Sequence, residues 1–106
     1  MRKTCIPCHS KKPQLSKIEI SELLEEIPEY ELFEIEGIPR ISKIYTFKNF
    51  KEALAFTNTL GAIAEEENHH PEIILEWGKA RVSWWSNSIK GLDNNDFVMA
   101  YKTERI

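Results

Sequence analysis

The sequence predicts an α+β fold of order αββαββα, a four-stranded antiparallel sheet with helices packed on one face. Three observations carry that expectation. Two pairs of short extended segments are each broken by a glycine, Gly37 and Gly78, as hairpins are. Three other segments open on helix-capping signals. No long crossover separates the strands of a pair, which argues against a parallel sheet.

The elements follow in order. Residues 1–15 carry Pro7, Pro13, several lysines and no periodic pattern, so they are expected to form a flexible arm ahead of a single domain spanning 16–106. Ser16 and Glu19 have capping-box spacing, and Ile20, Leu23, Leu24 and Ile27 fall on one helical face before Pro28 stops the helix. Segments 31–36 and 40–47 are rich in Ile, Phe, Tyr and Thr, with Gly37-Ile38-Pro39 between them, and read as a strand pair. Asn49 with Glu52 repeats the capping arrangement. Phe50, Ala53, Phe56, Leu60, Ile63 and Ala64 then step along a helix that runs to about Asn68, since Pro71 forbids continuation. Glu72–Trp77 and Ala80–Trp85 form the second expected hairpin. A last helix opens at Asp93, with Asp96 in its third position and Leu92 and Phe97 spaced as a hydrophobic staple.

Composition narrows the function. The 106 residues fit one domain, and 42% hydrophobic with 29% charged residues is a globular balance. A net charge of −3 gives no electrostatic footprint for nucleic acid. The basic cluster Arg2, Lys3, Lys11 and Lys12 reads as a solvated tail. No apolar run reaches the roughly 18 residues needed to span a bilayer, and the N-terminal residues lack the apolar stretch of a signal peptide. A cytoplasmic protein with no membrane partner is expected. Cys5, Cys8 and His9 spell a c-type haem attachment pattern, but that reading needs an oxidising compartment. Zinc needs four ligands, and no second pair follows. The two cysteines therefore read as reduced thiols, and no metal site is expected.

The stretch Glu65-Glu66-Glu67-Asn68-His69-His70-Pro71 lies where a long helix gives way to a strand, so its side chains can project into a cleft at the sheet edge. Histidine titrates near neutrality and can both give and take a proton. Neighbouring imidazoles point in different directions, which suits two sides of a flat ligand better than one metal. From the residues alone, two surface histidines at a helix end are the leading reading. Trp84 and Trp85, adjacent in a strand, face opposite ways, so one belongs to the core and the other to an edge or subunit contact.

Glu65-x-x-x-His69-His70-Pro71, then Trp77, Gly91-Leu92 and Asp96, resembles the pterin-4a-carbinolamine dehydratase family, bacterial type. The likeness runs over residues 20–103. It includes Tyr45-x-Phe47-Lys48-Asn49-Phe50, Ala53-x-Ala55-Phe56, Glu76-Trp77-Gly78-Lys79, Trp84-Trp85-Ser86 and Asp96-Phe97. The resemblance implies the αββαββα fold and the removal of water from 4a-hydroxytetrahydrobiopterin, which gives quinonoid dihydropterin. That step recycles tetrahydrobiopterin for an aromatic amino acid hydroxylase and requires no metal or redox cofactor. It implies acid/base roles for His69 and His70, acidic positions at Glu65 and Asp96, and pterin contacts at His69, His70, Pro71, Ser86, Asn87, Ser88 and Ile89. Glu65 would orient a histidine. For Asp96, a helix-dipole role in the first turn of a helix is the stronger alternative. The family forms homodimers or tetramers. This sequence departs from the pattern at Asn87, where the family normally carries a third histidine, or sometimes a tryptophan. An amide does not exchange protons at neutral pH, so a pterin-binding or regulatory protein with weakened turnover stands as the alternative.

Overall fold

A computed structural model describes residues 15–106 of the chain. Along it run α1 (Lys17–Leu24), β1 (Glu31–Ile35), β2 (Ile38–Thr46), α2 (Phe50–Glu67), β3 (Glu72–Glu76), β4 (Lys79–Trp84) and α3 (Asn94–Thr103). This is the expected αββαββα order. Cys5, Cys8 and His9, on which the haem and zinc readings rest, lie outside the described residues. Leu15, placed in the arm by the sequence reading, is docked instead: its N–H donates to the Leu92 carbonyl at 3.0 Å and its side chain packs against the core.

Capping side chains set the helix starts. Ser16 Oγ accepts from the Glu19 N–H and Glu19 Oε1 accepts from the Ser16 N–H, a complete capping box. The α-helical hydrogen bonds of α1 end at Leu24, sooner than Pro28 requires. Glu25, Glu26 and Ile27 instead donate to carbonyls three residues back, tightening the last turn and still burying Ile27. At α2 the box is split: Asn49 Oδ1 caps the Glu52 N–H, while Glu52 reaches the Lys48 N–H. Asp93 and Asp96 cap α3 reciprocally.

The strands are antiparallel throughout, in the order β1-β2-β4-β3. Glu36 and Gly37, both at positive φ, turn the first hairpin in two residues. In the second, Gly78 has φ +72, and a Cβ there would approach the Phe47 carbonyl oxygen at 3.1 Å, so glycine is needed on both counts. Ile41, Ala80, Val82 and Trp84 point to the helices, where they join Ile20, Phe56, Leu60, Phe97 and Met99 in one core. The alternate residues Ile44, Ile74 and Arg81 point away and are exposed. Among the described residues, helices thus cover one face only, as expected. Phe50, read from the sequence as part of the apolar stripe of α2, is instead largely exposed at the first helical position.

The C-terminal end of α3 is clasped to the sheet. Tyr45 Oη donates to Glu104 Oε1 at 2.5 Å, and Lys43 Nζ bridges Glu104 and Glu29 at 2.7 and 2.6 Å. Tyr30 Oη lies 2.9 Å from Tyr45 Oη. Burial pushes the Tyr30 phenol up to about 12, and it raises Tyr45 as well.

Candidate active site

The corner between α2 and β3 is made by Asn68. It adopts the left-handed conformation (φ 54, ψ 40), its N–H donates to the Glu65 carbonyl, and the His69 N–H donates back to Ala64. This is a Schellman closure, for which asparagine is the usual substitute for glycine. Pro71 then holds His70 out of the helical region, and β3 starts at Glu72.

Sheet register brings the second half of the site alongside. Glu72 pairs with Ser83 in an antiparallel ladder, so the residues before Glu72 lie beside those after Ser83. Past β4, the backbones of Ser86 and Gly91 exchange hydrogen bonds at 2.8 and 3.2 Å, closing a short loop that carries Asn87 and Ser88. Asp93 then opens α3 next to Ser86. Asn68, His69, His70, Trp85, Ser86, Asn87 and Ser88 line one cleft of about 410 Å³, within the range of small-molecule sites.

The two imidazoles sit in different surroundings. His69 is 5% exposed, and its ring stacks on Trp84 with the planes 9° apart. Its Nε2 lies 2.7 Å from Asp96 Oδ1, while Asp96 Oδ2 accepts from Ser86 Oγ and from the Asp93 N–H, both at 3.0 Å. A carboxylate can only accept, so the proton on this side belongs to Nε2, and in the neutral ring Nδ1 carries the lone pair. Burial pushes the Asp96 carboxyl above its ordinary range, against the hydrogen bond and charge of His69. His70 is half exposed, and its Nε2 lies 2.5 Å from Glu65 Oε1, one helical turn back. So exposed a pair adds little stability.

The structure therefore brings His69, His70, Ser86, Asn87 and Ser88 together, with Asp96 behind one histidine and Glu65 beside the other. Pro71 and Ile89 are half-buried and outside the cleft lining. Trp77, part of the sequence pattern, is 70% exposed in the β3–β4 turn. Five strand residues, at about 3.3 Å each, carry it roughly 16 Å from the histidines. Trp84 is the core member of the tryptophan pair, and Trp85 lines the cleft. Sequence reasoning missed Asn68, Arg40 and the Asp93 N–H. An asparagine between a helix and His-His-Pro was a readable signal for a left-handed cap. The guanidinium of Arg40 over Trp85 depends on strand register and had no such signal.

Comparison with known proteins identifies the family. The sequence model of the pterin 4 alpha carbinolamine dehydratase family matches residues 13–106. A protein of Saccharophagus degradans, named provisionally as a pterin-4-alpha-carbinolamine dehydratase, is 48% identical over 105 residues, covering 99% of this chain and 93% of its own length. A Brucella melitensis crystal structure described as a transcriptional coactivator/pterin dehydratase superposes with a TM-score of 0.78 at 26% identity, over 87% of this chain and 96% of that one. A pterin dehydratase-like protein described as a RuBisCO assembly factor in the alpha-carboxysome superposes with a TM-score of 0.61 at 17% identity, over 72% and 86%, and shares the fold alone. With nearly the whole domain matched, the chain belongs to the pterin-4-alpha-carbinolamine dehydratase family and is, by that membership, a hydro-lyase.

Proposed function

We propose that the cleft dehydrates 4a-hydroxytetrahydrobiopterin to quinonoid dihydropterin and water, as a step in recycling tetrahydrobiopterin for an aromatic amino acid hydroxylase. The observation that carries the reading is that two imidazoles, each backed by its own carboxylate, open into one cleft of small-molecule size. The chemistry asks for little more. One group protonates the departing hydroxyl as the carbon–oxygen bond breaks, and another takes the proton from a ring nitrogen, so substrate and product differ by one water and no net proton is exchanged. His70, half exposed at the rim, and His69, fixed by Asp96, divide these two transfers. Ser86, Asn87 and Ser88 supply hydrogen bonds to the pterin, with Pro71 and Ile89 shaping the walls from behind. The setting we propose is cytoplasmic, with the protein a homodimer or tetramer; among the described residues no helix is long and apolar enough to cross a membrane.

The test is turnover of a carbinolamine generated by a hydroxylase. His69→Ala and His70→Ala should each lower kcat by about 10²-fold or more, the usual contribution of one acid or base. If both variants keep the wild-type rate, the assignment fails. Asn87 gives the second reading its basis, because this side chain at the cleft exchanges no protons. Asn87→His should raise kcat while leaving the affinity for an unreactive dihydropterin within a few fold. If neither form turns over and both bind, a pterin-binding or regulatory role replaces the enzymatic one.

A further inference from the structure

Asn87 Oδ1 lies 2.8 Å from Trp85 Nε1. An indole N–H can only donate, so the amide atom facing it is the oxygen, and the NH₂ group is the end of the side chain left to the cleft. Trp85 is itself held from the sheet. The guanidinium of Arg40, on β2, lies 3.8 Å from the indole centroid. Arg40 is buried, its Nε has no hydrogen-bond partner among the described residues, and the ring face lies against its guanidinium, a cation–π contact. Arg40, Trp85 and Asn87 thus form a chain of contacts running from the second strand to the cleft.

We infer that Trp85 is a positioning residue that locks Asn87 as a hydrogen-bond donor, so that the site favours a ligand presenting an acceptor oxygen beside it. The inference rests on the dehydratase reading, in which that oxygen is the departing 4a-hydroxyl. A neutral histidine here would offer either a proton or a lone pair. An asparagine with its oxygen engaged by the indole offers N–H alone. The amide donates to the leaving oxygen as charge grows on it, and the proton that completes the water comes from a histidine.

The experiment compares dehydratase kinetics of wild type, Trp85→Phe, Asn87→Ala and the double variant. Phenylalanine keeps a ring for Arg40 to cover but removes the N–H. We expect Trp85→Phe to lower kcat by about tenfold, the worth of one hydrogen bond, with KM changed less than about twofold because the bond strengthens as the oxygen leaves. In the Asn87→Ala background the same substitution should cost under about twofold, since the partner it positions is gone. A merely structural tryptophan would lose activity equally in both backgrounds, and that result overturns the inference. Should Trp85→Phe fail to fold, Asn87→Asp decides the matter: it keeps an oxygen for the indole and removes the donor, so a wild-type kcat there also overturns it. A ligand-free check is the ¹⁵N–¹H resonance of the Trp85 indole, which should shift upfield in Asn87→Ala; an unmoved resonance rules the bond out. Wild-type protein that neither turns over the carbinolamine nor binds an unreactive dihydropterin overturns the dehydratase reading, and this inference with it. Wild-type turnover alongside additive variants overturns this inference alone.

Discussion

Three donors converge on the Asp96 carboxylate, and each belongs to a different part of the site: His69 from the α2–β3 corner, Ser86 from the end of β4, and the Asp93 N–H from the start of α3. A helix-dipole acid and a site acid were alternative readings of this residue in the sequence. In the structure the same side chain stands at the third position of α3 and reaches His69. Asp96→Ala should destabilise the fold by about 3 kcal/mol, because it leaves buried donors without an acceptor. Asp96→Asn, which keeps an oxygen, should cost less. The two forms should also diverge with pH. The folded-state carboxyl is raised by burial above its ordinary value of 3.8, so the folded state binds the proton more tightly than the unfolded state. The stabilisation this gives is complete below 3.8 and is lost as pH rises through the raised folded value. Asn does not titrate. The stability deficit of Asp96→Asn should therefore shrink as pH climbs from about 3 to 7, measured by urea unfolding. A deficit that grows with pH would mean that His69 and the other donors hold the carboxylate below its ordinary value instead.

At the scale of elements, the corner at Asn68 decides where both histidines point. Left-handed backbone costs an ordinary residue about 1 kcal/mol, and asparagine less. Asn68→Ala should therefore lose about 1 kcal/mol of stability and lower kcat, while Asn68→Gly, free of the backbone penalty, should lose less on both counts. Equal losses would show that backbone conformation is not what the position selects. This corner also marks where the sequence stops being legible. Helix starts could be read because a cap and its partner lie three residues apart, as with Ser16 and Glu19. The hairpins could be read because Gly37 and Gly78 punctuate them. His69 and His70 stood out through their chemistry and their resemblance to a family pattern. Contacts made by pairing distant segments had no local trace. His69 meets Asp96 across 27 positions, and Arg40 covers Trp85 because the register sets Ile41 against Trp84. Phe50 and Trp77 show the converse. Phe50 fits the apolar stripe of α2 and Trp77 the family pattern, yet both are exposed, since the first residue of a helix and the tip of a hairpin have no layer above them.

For the whole molecule, the unequal faces of the sheet matter most. Three helices bury one face, while the other carries a cross-strand row in which Ile44 and Ile74 flank Arg81, both opposite it in register. Ile44 is 55% exposed and Ile74 40%, and Ile35 adds to the same side on β1. Below that row, Ser42 and Ser83 are joined hydroxyl to hydroxyl at 2.9 Å, and Arg40 covers Trp85. An isoleucine row on an open sheet face is costly to leave in water, at about 25 cal/mol for each Å² of apolar surface. A homodimer or tetramer that covers it is the association we expect, with Arg81 inside the row and the charges of Glu31 and Lys79 at its rim. Ile44→Glu tests this directly. The side chain touches solvent in the single chain, so the substitution should leave the circular dichroism and the folded core intact. It should also place a carboxylate where an apolar contact is required, weakening association by more than about tenfold. Sedimentation of the wild type should then give a multiple of 12.4 kDa, and Ile44→Glu should move toward one chain at the same concentration. A wild type that sediments as one chain at high micromolar concentration would rule out association. A variant that keeps the wild-type mass would place the contact on another surface, with β1 and β3 next in line, since among the described residues each is an edge strand of the sheet.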